Sequence, residues 1–281
     1  MYPLNMRKRL TLVPIGGLAN RLYAITSAIA FCEDHAIDLK VVWFKDWGMG
    51  ANFHALFELA GSYPHVEIVD ATWKDYIYDR PRKKNFWLPY LYQKFTFEKR
   101  FYEKDIYRSE FNTDLADAIQ KYSSLYLVHC CPFYDRTKGV QYVRPNLLLR
   151  QQIEMRKALL SIDKHTIGLH IRRTDNVGSI KNSPLELFID RIKSEIACNP
   201  KSRFYVASDD LHEKRRLKDL FGDRICTSFE PVRRDNEQGI KDAVVELYTL
   251  ASTRKIYGSA ASTYSMIAAE IGKIELEVLN V

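Results

Sequence analysis

From residue 166 to residue 279 one pattern recurs: a short apolar run, then a helix-length amphipathic run. TIGLHI precedes SPLELFIDRIKSEIA, RFYVASDD precedes LHEKRRLKDLF, and RICTSF precedes IKDAVVELYTLAST. RKIYGS then precedes STYSMIAAEIG, and IELEVLN closes the series. Strand–helix alternation of this kind folds as a parallel sheet with helices on both faces. The beginning of the chain shows the same pattern. RLTLVPI (9–15) reads as a buried strand, broken by Gly16-Gly17. A helix follows with Leu18, Leu22, Ile25 and Ile29 on one face, then the strand IDLKVVWF (37–44). That is a parallel βαβ unit.

The intervening stretch is less regular. NFHALFELA predicts a short helix, and HVEIVDA and SLYLVHCC predict strands. Residues 72–125 are aromatic and basic with poor periodicity and read as an insert. Residues 142–160 cross into a helix with Pro145 near its start. The expected organisation is therefore two doubly wound, Rossmann-like α/β domains, 1–144 and 145–281. In the second, Ser183, Pro184 and Glu186 have the spacing of a capping box, which predicts Ser183 as an N-cap.

Charge and cysteine content bound the function. The 281 residues carry a net charge of +7. This suits nucleic acid, anionic lipid or phosphorylated small molecules equally. The basic clusters, 6–9, 80–84 and 213–216, are short and form no single-sign tail, which argues against a nucleic-acid arm. Five cysteines with irregular spacing and no C-x-x-C pair argue for a reduced protein without a disulfide framework or zinc site. Adjacent Cys130-Cys131 reads either as a redox pair or as two small apolar residues at a strand end, the latter preferred. The N-terminus shows a basic cluster followed by a strand-length apolar run, not a signal-peptide pattern, and no apolar run reaches transmembrane length. A cytoplasmic location follows as an expectation, with peripheral contact at the inner face of a membrane through the basic patches.

Ligands of doubly wound sheets bind where strands run into helices. That rule selects four loops. In GGLANR, Gly16 and Gly17 let backbone amides approach a ligand at a helix N-terminus, with Asn20 and Arg21 beside them. Arg21 reads either as a phosphate partner or as a helix-surface cation. In HIRRTD, alternation sends His170 and Arg172 to one face and Ile171 to the other. Arg172 suits bidentate phosphate binding, and Arg173 or Asp175 can close a local ion pair. In VASDD, Asp209 and Asp210 read as metal ligands, acid–base groups or hydrogen-bond acceptors, with Asp209 equally an N-cap. In GSAAST, Ser262 and Thr263 read as a cap or as a phosphate loop. Together the loops suit a nucleotide diphosphate in an interdomain cleft.

These motifs resemble those of the GDP-fucose-dependent fucosyltransferase superfamily. GGLANRLYAITSAIAF resembles the Gly-Gly-x-x-Asn motif of bacterial α1,2-fucosyltransferases, and HIRRTD followed by Val177-Gly178 after one residue resembles the corresponding motif of α1,6-fucosyltransferases. FYVASDD and IYGSAASTYSMIAAEIG are similar to the two later motifs, in the same order. The resemblance implies a GT-B fold and inverting, metal-independent transfer of fucose from GDP-fucose, with no further cofactor. It places the donor on the C-terminal domain and the acceptor on the N-terminal domain with its 72–125 segment. Arg172 then binds the pyrophosphate and His170 contacts guanine or ribose. Glu246 is the acidic guanine partner, with Asp242 as rival, and Ser262 and Thr263 form the phosphate loop. Gly16, Gly17, Asn20, Arg21, Arg173, Asp209 and Asp210 complete the donor set. The chain departs from the pattern where the α1,6 enzymes carry a glutamate, because Ser179-Ile180-Lys181 stands there. Asp175 is the candidate base. Trp73, Tyr76, Trp87 and Tyr90 read either as sugar-stacking rings or as core. The acceptor class implied is a glycan, including lipid-linked oligosaccharide and lipopolysaccharide, and nucleic acid is not an expected partner. The alternatives are a GT-B enzyme using another nucleotide sugar and a non-catalytic basic protein that binds RNA or lipid.

Overall fold

The computed structural model describes residues 7–77, 87–106, 111–134, 139–174 and 176–281. The chain divides into two compact units, Met1–Asn146 with Arg234–Ile240, and Leu147–Arg233 with Lys241–Val281.

The first unit runs β1 (Arg9–Pro14), α1 (Leu18–Asp34), β2 (Asp38–Trp43), β3 (Phe57–Leu59), β4 (Val66–Asp70), α2 (Tyr90–Thr96), β5 (Lys99–Phe101), α3 (Glu103–Ile106), α4 (Phe111–Lys121), β6 (Ser124–His129) and β7 (Val143–Pro145). Five of these strands form one sheet in the order β4-β2-β1-β6-β5. Every pairing in it is parallel. Leu10, Leu12, Val13, Leu125, Leu127 and Val128 are fully buried, as β-branched and leucine-rich strands covered on both faces must be. The segment read as an insert is integral to this sheet, since it supplies β5 and the helices that lead into β6.

Two local expectations are corrected here. NFHALFELA is not a helix. A single turn brings Phe57 N–H to the Phe53 carbonyl at 2.7 Å, and the chain then enters β3, antiparallel to β7. The stretch is too short to nucleate a helix alone, and its strand partner lies more than eighty residues away. Helix α1 is buried almost all round, not along one face. Its far side is covered by a 3-10 turn at Gly139–Tyr142 and by Tyr134, whose ring meets Phe31 edge-on at 5.2 Å.

The second unit runs α5 (Leu147–Leu159), β8 (Thr166–Ile171), α6 (Val177–Asn182), α7 (Leu185–Cys198), β9 (Arg203–Ser208), α8 (Leu211–Phe221), β10 (Ile225–Cys226), α9 (Glu237–Ala251, the residues up to Ile240 counting with the first unit), β11 (Lys255–Ser259), α10 (Thr263–Gly272) and β12 (Glu275–Leu279). Its sheet order is β10-β9-β8-β11-β12, again all parallel. The expected doubly wound α/β class therefore holds for both units. Ile167, Leu169 and Ile171 of β8 pack with Phe188 and Ile192 of α7 and with Phe204 and Val206 of β9. Each such fully buried side chain contributes roughly 1.5–3 kcal/mol. Ser183 does not cap α7, whose N-cap is Pro184. The Ser183 hydroxyl donates to the Leu279 carbonyl at 2.5 Å and accepts from Ala260 N–H at 2.8 Å. Two non-local partners outcompete the local cap. Among the described residues no helix is long and apolar enough to cross a membrane.

The return of Arg234–Ile240 to the first unit depends on Gly50. Its N–H donates to the Arg234 carbonyl at 2.8 Å, and a Cβ there would collide with the backbone of Asp235 and Asn236. Backbone cannot rotate away as a side-chain tip can. Gly50→Ala is expected to destabilise the protein by about 1–3 kcal/mol, read as a lower denaturant midpoint. An unchanged midpoint would show that this close approach is not required.

Candidate functional site

In the second unit the chain winds one way through β8, β9 and β10 and the other way through β11 and β12. The switch point lies between β8 and β11, at their carboxyl ends, where ligands of open α/β sheets bind. His170, Arg172, Ser259, Ser262 and Thr263 all come from the two chain segments that flank it.

The adjacent arginines each have their own carboxylate. Arg172 Nη1 donates to Asp209 Oδ2 at 2.6 Å, and Arg173 Nε donates to Glu213 Oε1 at 2.9 Å. The Arg172 side chain keeps 22% exposure, whereas the Arg173 side chain keeps 9%. Arg173 Nη1 also donates to the Arg172 carbonyl at 3.0 Å. Arg173 therefore braces the loop from beneath, and Arg172 is the cation presented at the surface. The local ion pair expected of Arg173 is formed with Glu213. Asp175 lies outside the described residues.

Asp209 organises this arrangement. Besides Arg172 it accepts from Arg173 N–H at 2.8 Å and from Thr174 Oγ1 at 2.7 Å. Its side chain is 7% exposed. The N-cap of α8 is Asp210, which accepts from His212 N–H at 2.7 Å, so the cap expected of Asp209 belongs to its neighbour. Both aspartates at the end of β9 thus serve the protein's own groups.

His170 is 5% exposed and stacks on Tyr264, with ring centroids 4.9 Å apart. Burial, reinforced by the Arg172 charge, holds its pKa down at about 3 against a weaker opposing effect of Asp209. It is a neutral ring at ordinary pH. Its Nδ1 lies 3.4 Å from Ser262 Oγ. Ser262 is the N-cap of α10 without a side-chain capping bond. The hydroxyl is turned to the histidine, not to the helix.

Helix α6 was not expected from the sequence, although Asn176 ahead of VGSIKN is a cap signal. Asn176 caps it by accepting from Ser179 N–H at 3.0 Å. The same side chain donates to the Ala261 carbonyl at 3.0 Å, and Ser179 Oγ donates to the Ala260 carbonyl at 2.5 Å. Ala261 is held at φ 53°. Arg172 N–H donates to Ser259 Oγ at 3.1 Å, which ties the β8 and β11 ends together. Ser179 thus has a structural task in the stretch where a base was sought.

Glu246, on α9, is ion-paired with Lys214 of α8 at 3.0 Å. Burial pushes its carboxyl up, and Lys214 pulls it partly back. Lys214 is 1% exposed and also donates to the Ser228 carbonyl at 3.1 Å.

In the first unit the corresponding edge is the Gly16-Gly17 turn, with Gly16 at φ 84°. Asn20 packs back against Gly16. Arg21 is fully buried. Its Nε donates to the Gly16 carbonyl at 2.8 Å, Nη1 to the Phe44 carbonyl at 2.5 Å, and Nη2 pairs with Asp46. Trp43 lies under its guanidinium at 4.9 Å. The phosphate contact offered to Arg21 by the sequence is replaced by this bracing role, because no face of it meets solvent. Of the aromatic residues offered to sugars, Tyr76 and Trp87 pack against the core around Phe44 and Tyr126, while Trp73 is 74% exposed and Tyr90 38%.

Comparison with known proteins bears on the fold. The sequence matches no protein-family model and no curated protein at a significant level. Solved structures match along nearly the whole chain. NodZ α-1,6-fucosyltransferase co-crystallised with GDP aligns with a TM-score of 0.64 and 15% identity, over 93% of this chain and 91% of that one. A mutant of Arabidopsis thaliana FUT1 in complex with GDP aligns at 0.65 and 14%, over 98% and 71%. POFUT1 in complex with GDP aligns at 0.60 and 13%, over 99% and 100%. The chain shares the GT-B fold of these proteins, as the motif resemblance implied.

Two outcomes follow from the geometry. Asp209→Ala removes the acceptor of the part-buried Arg172 guanidinium and Arg173 N–H and of the exposed Thr174 hydroxyl, and is expected to cost about 1–3 kcal/mol in chemical denaturation. Asp209→Asn, which keeps one acceptor, is expected to cost less. Equal stability of wild type and Asp209→Ala would refute the organising role. The second outcome concerns acid. Buried His129, like His170, is depressed, to about 4. Its unfolded value is about 6.5, so between the two pH values the unfolded chain binds a proton that the folded chain does not. Stability must then fall as pH drops from about 6.5 to about 4. His129→Phe is expected to flatten that decline in denaturant midpoints, and an unaltered slope would contradict the assignment.

Proposed function

We propose that the protein is an inverting, metal-independent glycosyltransferase that moves fucose from GDP-fucose to a glycan hydroxyl. The observation that carries this reading is Arg172. It is a partly exposed guanidinium at the switch point, oriented by Asp209 and flanked by a neutral histidine and the α10 N-terminus. The GDP complexes of NodZ and POFUT1 and of the FUT1 mutant, all of this fold, support the choice of nucleotide.

Breaking the bond between fucose and GDP develops positive charge on the sugar and negative charge on the departing diphosphate. Arg172 binds that diphosphate through its planar fork, which matches phosphate geometry. The amino end of α10, entered through Ser262 and Thr263, adds the positive end of a helix dipole. A neutral His170 contributes a polar ring to guanine or ribose without competing for the phosphate. Glu246, with Asp242 as its rival, accepts from guanine. Gly16, Gly17 and Asn20, at the first unit's own strand–helix turn, complete the proposed donor set. The acceptor, lipid-linked oligosaccharide or lipopolysaccharide included, binds residues of the first unit, where Trp73 offers an exposed ring. Asp175, three residues beyond Arg172, takes the acceptor proton.

Fixed dipoles and cations aimed at developing charge are worth about 3–4 kcal/mol each, or ~10²–10³ in rate. Arg172→Lys is therefore expected to fold but to lose transfer from GDP-fucose by about that factor, measured by mass spectrometry of the glycan product. In a thermal-shift panel GDP is expected to raise the melting temperature more than UDP or ADP, with the same shift after EDTA treatment. Asp175→Asn is expected to keep the GDP shift and lose transfer. A larger shift with UDP would favour a different nucleotide sugar, and near-normal turnover in Arg172→Lys would remove the arginine from the mechanism.

A further inference from the structure

At the carboxyl end of β6, beside the switch point of the first sheet, the chain places two cysteines in succession. Cys130 and Cys131 are both half-buried, and their sulfurs lie 3.5 Å apart in a thiol–thiol hydrogen bond. Side chains of neighbouring residues on a strand point to opposite faces. Here the strand has just ended, at His129, and the turn brings both sulfurs to one side. The turn is anchored on both sides. Cys131 N–H donates to His129 Nδ1 at 3.1 Å, and the His129 carbonyl accepts from Ile15 N–H at 2.9 Å.

We propose that Cys130 and Cys131 form a reversible dithiol modification site that reacts with low-molecular-weight disulfides and closes to a vicinal disulfide. The proposal stands apart from the donor reading, because these residues belong to the first unit.

The chemistry follows from the shared proton. The hydrogen bond with Cys130 stabilises a thiolate on Cys131 and lowers its pKa, outweighing burial and the nearby Glu103 charge. The Cys130 thiol is pushed up by the same hydrogen bond and by burial. Cys131 is therefore the attacking thiolate. It attacks one sulfur of the small disulfide. That S–S bond breaks, one thiolate leaves and a mixed disulfide forms on Cys131. Cys130 then gives its proton to the solvent and attacks Cys131 Sγ, releasing the second small thiol. The protein dithiol is oxidised by two electrons, and the small disulfide is reduced to two thiols. Drawing the sulfurs from 3.5 Å to about 2.05 Å across a single peptide bond strains the ring, and strained disulfides are readily reduced. The modification therefore reverses with added thiol.

The other cysteines differ. Cys32 and Cys226 are buried, and burial pushes both thiols up. Cys198 is exposed and so is open to a simple mixed disulfide. The test uses the full chain in a Cys198→Ser background, treated with oxidised glutathione and read by intact mass and peptide mapping. The expected product has lost two hydrogens at the Cys130-Cys131 peptide and carries no glutathione, and dithiothreitol restores it. Cys130→Ser is expected to trap one glutathione on Cys131. Cys131→Ser is expected to react at least tenfold more slowly, and the parent rate is expected to rise with pH as the thiolate forms. Three results would overturn the proposal: no mass change at this peptide, a persistent glutathione adduct with Cys130 present, or parent-like reactivity in Cys131→Ser.

Discussion

The second unit depends on one carboxylate serving three donors. Asp209 accepts from Arg172 Nη1, Arg173 N–H and Thr174 Oγ1, so a single buried anion fixes both the turn after β8 and the side chain that the turn presents. Two adjacent cations repel in isolation. Here the backbone sends them to different carboxylates, Arg172 to Asp209 and Arg173 to Glu213. The repulsion is converted into a loop with one geometry. Ser259 then ties this loop to β11, and α6 ties β11 to the stretch that follows Arg172. An oriented cation at a switch point does not have to reorganise when charge develops before it, which is the property electrostatic catalysis requires.

The first unit treats its arginine in the opposite way. Arg21 is buried entirely and loses hydration. Burial lowers its pKa, and Asp46 opposes that effect. Two carbonyls, a carboxylate and the Trp43 face offset the cost by occupying the guanidinium from every side. The residue thereby holds the Gly16 turn in its left-handed conformation. Exposure separates the two roles. Arg172 retains a surface on which a ligand can act, and Arg21 does not.

Much of this was legible beforehand. The alternation of strands and helices predicted both doubly wound sheets, because a buried parallel strand and an amphipathic helix leave unlike periodicities. The loops bearing His170, Arg172, Ser262 and Thr263 could be placed at strand ends for the same reason. What failed was the choice between adjacent or equivalent polar side chains. Asp209 and Asp210 are indistinguishable in sequence, and only the arrival of the β8 turn decides which one caps α8. Ser183 had the local spacing of a cap, but two backbone groups from distant segments claimed it. Arg21 reads in sequence as a phosphate partner or a helix-surface cation, and only the arrival of Trp43, Phe44 and Asp46 around its guanidinium decides against both. β3 and the return of Arg234–Ile240 rest on partners far along the chain, which no local window contains.

The central claim is that Arg172 grips the terminal phosphate of a nucleoside diphosphate. Calorimetric titration of GDP and GMP into wild type and Arg172→Met tests it most directly, since the two ligands differ by that phosphate alone. A charge-assisted contact is worth about 1.5–3 kcal/mol, so GDP should bind wild type about ten- to hundredfold more tightly than GMP. In Arg172→Met most of that preference should vanish. A GDP-to-GMP ratio that survives the substitution intact would contradict the account.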